Sequence, residues 1–337
     1  MVVNRMSRII TVLALLALAL GISGSAFAQA GYSVTKLVSN VAGQADNQDP
    51  QLVNAWGISF APGGPFWVSD NGTGVSTLYN AQGVKQSLVV TIPSSSGTGT
   101  GQPTGQVYNA SANWVVTQNG KSGASVFIFD TSDGTISGWN GSVNPSEAVI
   151  AVNNTGAEYT GLAIGSNNGS SFLYAADNLN NRIDVYDTSF NKVNSFTDTS
   201  LPAGSAPYNV VNIGGQLYVP FTNGSGTGVV DIFTTAGTKV KTFTSGGTLR
   251  SPWGVALAPK NFGPASGSIL VGNEGDGRVN AFNATSGKLI GESAAITSGL
   301  WALNFGGAGS DGQPNQLFFT SGPAGYSDGL FGVINFK

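Results

Sequence analysis

Oxygen-rich side chains recur at Asp70, Asp177, Asn273 and Glu274, with Asn71 and Asn178 beside the first two. Each group closes a short apolar run: Phe66-Trp67-Val68-Ser69, Phe172-Leu173-Tyr174-Ala175-Ala176, or Ile269-Leu270-Val271-Gly272. Carboxylate and amide oxygens are the ligands Ca²⁺ takes, so Ca²⁺ is the one cofactor these residues could call for. The same residue types also hydrogen-bond turn backbone throughout β-proteins. A position that recurs from unit to unit usually serves the repeat, and turn bonding is the preferred reading of these four.

A second set is aromatic. Trp56, Tyr208, Trp253 and Trp301 each open a short strand at the same place in four units. Gathered at one end of a channel, they would offer a stacking surface to a sugar or another planar ligand. Packing of large rings between neighbouring units is the competing use of such side chains, and it is favoured.

Other chemistry is excluded by what the chain lacks. It has neither histidine nor cysteine, so a Ser-His-Asp triad, a His-paired cysteine and a His-ligated zinc are impossible, as are disulfide staples. Ser189-Phe190-Asn191-Lys192 matches the S-x-x-K string of some acyl-transfer enzymes, but it falls in a turn between strands and not on a helix. Gly97-Thr98-Gly99-Thr100-Gly101 lacks the Lys-Ser/Thr and the helix of a phosphate loop. It reads as a linker leading into Pro103 and a strand.

The elements that must position these residues form a repeat. Trp56-Gly57-Ile58-Ser59-Phe60, Thr160-Gly161-Leu162-Ala163-Ile164 and Trp253-Gly254-Val255-Ala256-Leu257 open three units, and weaker copies open at Thr104, Tyr208 and Trp301. The second residues of these openings are 57, 105, 161, 209, 254 and 302, giving intervals of 48, 56, 48, 45 and 48. Third strands such as Arg182-Ile183-Asp184-Val185-Tyr186 alternate with period two and run into turns. Several short strands per 40–50 residues, repeated six times without helical periodicity, predict an all-β, six-bladed β-propeller. The unit after Trp301 lacks a fourth strand, whereas Tyr32 to Val38 is a strand without a unit. The N-terminal strand is therefore expected to complete the last blade and close the ring, leaving no open sheet edge there.

Residues 1–28 read as a signal peptide. Arg5 and Arg8 precede an uncharged run from Ile9 to Ile22, and Ala26-Phe27-Ala28 places cleavage before Gln29. That run is shorter than the roughly 20 residues a membrane span needs. Residues 29–337 then form a single propeller domain, exported to the periplasm or beyond. Without Arg5 and Arg8, 12 of the 14 basic side chains remain against 17 acidic ones, which disfavours nucleic acid or an anionic membrane as partner. Apolar residues make up 41% of the chain and charged residues 9%, and the apolar ones are spread along its length, so every unit can bury a core.

Ala176-Asp177-Asn178, Asn181-Arg182-Ile183-Asp184-Val185-Tyr186 and Gly275-Asp276-Gly277-Arg278-Val279 resemble the repeat of NHL-type propellers. Leu52 to Gly57, Asp133 to Trp139, Leu201-Pro202-Ala203-Gly204 and Ser251-Pro252-Trp253-Gly254 resemble a functionally uncharacterised family of exported bacterial propellers. Some of its members carry a PEP-CTERM sorting tail that this sequence does not show. The resemblance implies a fold and an exported address, and no reaction. Two readings of function follow. One is a non-catalytic binding or scaffold protein for a small molecule, glycan or protein. The other is a calcium-dependent hydrolase of the lactonase or gluconolactonase type, whose six-bladed members hold a catalytic calcium at the channel with Asp, Asn and Glu. Convergence of several carboxylates in the channel would separate them.

Overall fold

A computed structural model of the chain describes residues 31–336; the expected signal peptide lies outside them. Six antiparallel sheets follow one another as blades. Their innermost strands are Ala55–Ser59, Pro103–Tyr108, Tyr159–Asn167, the split pair Ala206–Pro207 and Val211–Ile213, Pro252–Leu257 and Leu300–Phe305. These are blades 1 to 6 in chain order. The chain then steps outward through the blade, as from Tyr159–Asn167 to Ser170–Asp177, Arg182–Tyr186 and Lys192–Phe196 in blade 3. Among the described residues the only helix is the 3₁₀ turn Gly263–Ala265, and none is long and apolar enough to cross a membrane.

Ring closure is as expected from the orphan strand. Tyr32–Ser39 pairs antiparallel with Leu330–Phe336 as the fourth strand of blade 6, from Tyr32 opposite Phe336 to Ser39 opposite Leu330. Asn47–Gln48 adds a short parallel pairing beyond it.

The core lies between the blades. Six buried apolar clusters correspond to the six blade interfaces. Leu173 and Ala175 face blade 2, while Tyr174 and Ala176 on the same strand face blade 4. A strand covered on both sides reads as a continuous apolar run, which is why Phe172 to Ala176 shows no alternation.

At the axis the first strands crowd together. A Cβ on Gly57 would lie 2.5 Å from the Thr104 carbonyl oxygen of the next blade, and one on Gly254 would lie 2.5 Å from that of Trp301. At these interfaces only glycine permits so close an approach of neighbouring first strands.

The 56-residue interval between the second and third openings has a structural cause. Val115–Gln118 and Lys121–Ala124 form an extra hairpin inside blade 2. Trp114 at its base is buried between blades 2 and 3 and donates its indole N–H to the Asp187 carbonyl (3.0 Å).

Candidate functional site

The channel runs along the ring axis, and the first strands form its wall. Each is the innermost strand of its sheet, so one of its edges faces the axis with no strand to pair it. Such an edge carries N–H and C=O groups that must find other partners.

Side-chain donors meet several of the carbonyls. Gln106 Nε2 donates to the carbonyls of Gly57 (2.8 Å) and Trp67 (2.9 Å). Asn209 Nδ2 donates to Trp253 O (3.0 Å), and Asn212 Nδ2 to Ile164 O (2.9 Å). Thr320 Oγ1 donates to Trp56 O. These residues were not singled out from the sequence. A signal was present: Gln106 stands where the other units carry Ile58, Leu162, Val210, Val255 and Leu303, and Asn209 stands where four units carry glycine.

The structure brings the four aromatic candidates together. Trp56 stacks on Trp301 with ring centroids 3.8 Å apart. Trp253 meets both edge-on at 6.1 Å, and Tyr208 contacts Trp56 at 6.4 Å and Trp301 at 5.8 Å. Blades 1, 4, 5 and 6 thus contribute rings that meet across the axis. Blades 2 and 3 have Thr104 and Thr160 at this position, small enough to leave room for them. Trp253 Nε1 donates across the ring to Thr160 O (2.9 Å), and Trp301 Nε1 to Asn54 Oδ1 (3.0 Å).

Trp56, Trp253 and Trp301 are buried, while Tyr208 is half-buried. The rings pack on one another and close this end of the channel, although the buried Trp56 indole N–H has no acceptor. They are therefore placed less as an open stacking platform than as a plug, and packing is across the axis as well as between neighbouring blades. Burial raises the Tyr208 phenol pKa, helped by the carboxylates of Glu274 and Glu158 and by Tyr326.

Below the plug the channel widens into a cavity of about 430 Å³, walled by residues from all six first strands. Trp253 belongs to its wall, and the far ends of the strands supply a largely apolar rim of Phe60, Tyr108, Ile164, Ile213, Leu257 and Phe305. The polar side chains of the lining are hydroxyls and amides, those of Ser59, Gln106, Tyr108, Asn209, Asn212 and Asn304, with the Trp253 indole. Among the described residues, no carboxylate, ammonium or guanidinium belongs to it.

The oxygen-rich candidates are elsewhere and apart. Asp70 is fully buried in blade 1, where Thr77 Oγ1 donates to its Oδ2 (2.7 Å); burial holds its pKa well above the usual carboxylate range. In blade 3 Asp177 accepts from the Glu158 and Asn180 backbone N–H groups and lies 3.4 Å from Arg182 Nη2. Asn273 donates to Thr248 O (2.7 Å) and Asp276 Oδ1 (3.1 Å), and Glu274 accepts from the Tyr326 hydroxyl (2.6 Å). Among the described residues, no three His, Cys, Asp or Glu side chains stand close enough to share a metal ion. The two neighbouring amides, Asn71 and Asn178, join blades: they donate to Pro103 O (3.3 Å) and Pro207 O (3.1 Å) of the next one.

No established family profile matches the chain. Among solved structures it resembles virginiamycin B lyase from Staphylococcus aureus. The TM-score is 0.56 at 15% identity, covering 91% of this chain and 100% of the enzyme. A catalytically inactive variant of that lyase, with one histidine replaced by alanine and quinupristin present, aligns with a TM-score of 0.53 at 14% identity. Likeness at this level is likeness of fold. Sequence relatives are viral: "Uncharacterized protein R648" of Acanthamoeba polyphaga mimivirus is 32% identical over 90% of this chain and 80% of its own length. "Uncharacterized protein L690" of the same virus is 32% identical over 91% of this chain and 86% of its own length. The chain, a six-bladed β-propeller, belongs to the same family as these two mimivirus proteins.

Proposed function

We propose that the protein is an exported, non-catalytic binding protein whose ligand site is the blind central channel. The observation that carries this reading is the channel wall. It encloses a volume within the range of small-molecule sites and presents no acid, base, nucleophile pair or metal-ligating cluster to an occupant. Export and kinship with NHL-type bacterial propellers rest on the leader and repeat motifs of the sequence. The hydrolase alternative requires several carboxylates converging on the axis; Asp70 and Asp177 are engaged within their own blades, Glu274 accepts from Tyr326 of blade 6, and among the described residues no three acidic side chains gather to share a metal ion. Nor does the chemistry of the lyase carry over, since that enzyme is inactivated by loss of one histidine and this chain has none.

Calcium separates the two readings. A ligand that binds only the folded state stabilises it by about 2.7 kcal/mol at a hundredfold excess over Kd. Exported calcium modules have Kd values of roughly 10⁻⁴ to 10⁻³ M, so the titration extends to tens of millimolar. The melting temperature is expected to respond to Ca²⁺ no more than to Mg²⁺ at equal ionic strength, and to ignore a chelator. A saturable, calcium-selective rise that disappears in Asp177→Ala would put the hydrolase reading first.

A further inference from the structure

Resting on the channel as the ligand site, we infer that its occupant is an uncharged molecule with an apolar body and hydrogen-bond acceptors such as ketone, ester or tertiary amide oxygens. It enters through the rim of first-strand ends opposite the aromatic plug.

Three observations support this ligand class. The first is charge. A charged group taken into this cavity would leave water without meeting a countercharge, because the lining has none, and an unpaired buried charge is strongly disfavoured. The second is the balance of donors and acceptors. The wall carbonyls of Gly57, Trp253 and Ile164 already accept from side chains of neighbouring blades. A ligand rich in donors would find those acceptors occupied. The first-strand N–H groups of Gly105, Val210 and Ala302 are likewise taken, by Asp130, Asn209 and Thr320; the Asn304 amide remains to donate to a ligand, half-buried in the lining with no side-chain hydrogen bond. The third is the rim. Phe60 packs on Phe66 at 5.3 Å and Phe305 on Phe262 at 5.0 Å, so these rings are held in place before any ligand arrives. A fixed apolar rim lowers the ordering cost of binding an apolar body.

Four probes of one shape test the class by calorimetry and melting: acetylnaphthalene, naphthylmethanol, naphthoate and naphthylmethylammonium. Acetylnaphthalene is expected to bind saturably, at least tenfold more tightly than either ion and more tightly than the alcohol. Asn304→Trp, which fills the cavity from a half-buried position, should abolish that binding. Leu257→Lys places a cation on the rim, where Leu257 is 48% exposed, and should shift preference from acetylnaphthalene towards naphthoate even if the first variant does not fold. Equal or tighter binding of an ion or the alcohol to the unaltered protein, lost in Asn304→Trp, would overturn the ligand class while leaving the channel as a binding site. Binding indifferent to both substitutions, or no binding of any probe, would overturn the inference. If native mass spectrometry of the purified protein then also showed no retained small molecule, the binding-protein reading would fail with it.

Discussion

Asp130 shows how a single residue in this fold can carry a pH dependence. It is fully buried, and its Oδ1 accepts from Thr104 Oγ1 (2.8 Å) and the Gly105 N–H (2.6 Å) on the first strand of blade 2. Its Oδ2 has no hydrogen-bond partner. Burial outweighs those two bonds and raises its pKa from 3.8 to about 7. Between these values an unfolded chain would have lost the proton while the folded chain retains it, so the folded state binds more protons and its stability falls as pH rises. The slope from this one group approaches about 1.4 kcal/mol per pH unit in mid-window. Asp130→Asn keeps an acceptor for Thr104 and Gly105 and cannot ionise. Its stability relative to the unaltered protein, from urea unfolding at pH 4.5 and pH 8, should improve at the higher pH. An unchanged difference at the two pH values would show that Asp130 ionises inside the fold without penalty.

Strands follow the same logic of burial, and it explains which parts of the fold could be read in advance. Second strands such as Phe66–Asp70 and Ser268–Asn273 are covered by blades on both faces, so they read as unbroken apolar runs. In two third strands the buried aspartate pairs with a lysine at the start of the fourth strand, Asp184 with Lys192 and Asp231 with Lys239. In blade 3, Asp184 is buried and lies 2.8 Å from Arg182 Nε and 2.6 Å from Lys192 Nζ. That ion pair is the structural content of the Arg-Ile-Asp-Val-Tyr motif.

Lys85, Lys192 and Lys239 begin outer strands, where charge discourages pairing with another molecule's edge. Less legible were elements without a pattern of their own. The blade 2 hairpin showed only as a long interval. The split first strand of blade 4 gave no sign beyond Pro207, which can end but not extend a ladder. The candidate site divided along the same line: position in the repeat located the aromatic plug, but whether the rings faced a ligand or one another depended on Thr104 and Thr160 in two other blades. Asp184→Ala should cost about 3 kcal/mol in chemical unfolding, at the lower end for a broken buried pair because both cations can still reach water. A loss below about 1 kcal/mol, the range of an exposed pair, would show that the motif does not tie the two strands together.

At the scale of the whole molecule, closure depends on a short N-terminal segment that reaches three blades. Tyr32–Ser39 completes blade 6. The Tyr32 hydroxyl donates to Phe262 O (2.5 Å) and accepts from the Ala265 N–H (3.2 Å), which fastens the strand to blade 5. Just beyond it, Asp49 accepts from the Tyr79 hydroxyl (2.6 Å) and pairs with Lys85 Nζ (2.8 Å) in blade 1. The first and last blades are joined mainly by this segment and by the apolar cluster of Leu37, Val38, Phe66, Phe318 and Phe331.

Removing residues 31–39 would strip Leu37 and Val38 from that cluster. It would also expose Leu330–Phe336 as an unpaired edge rich in apolar residues, a template for pairing with another chain. The truncated protein should melt at a lower temperature and show concentration-dependent association by light scattering, while a peptide spanning the deleted strand should restore both properties. The peptide arm isolates strand loss from general damage to the fold, because only a vacant fourth position in blade 6 can accept it. A truncated chain that stays monomeric at the original melting temperature would mean that the ring closes through the blade 6–blade 1 core without its N-terminal strand.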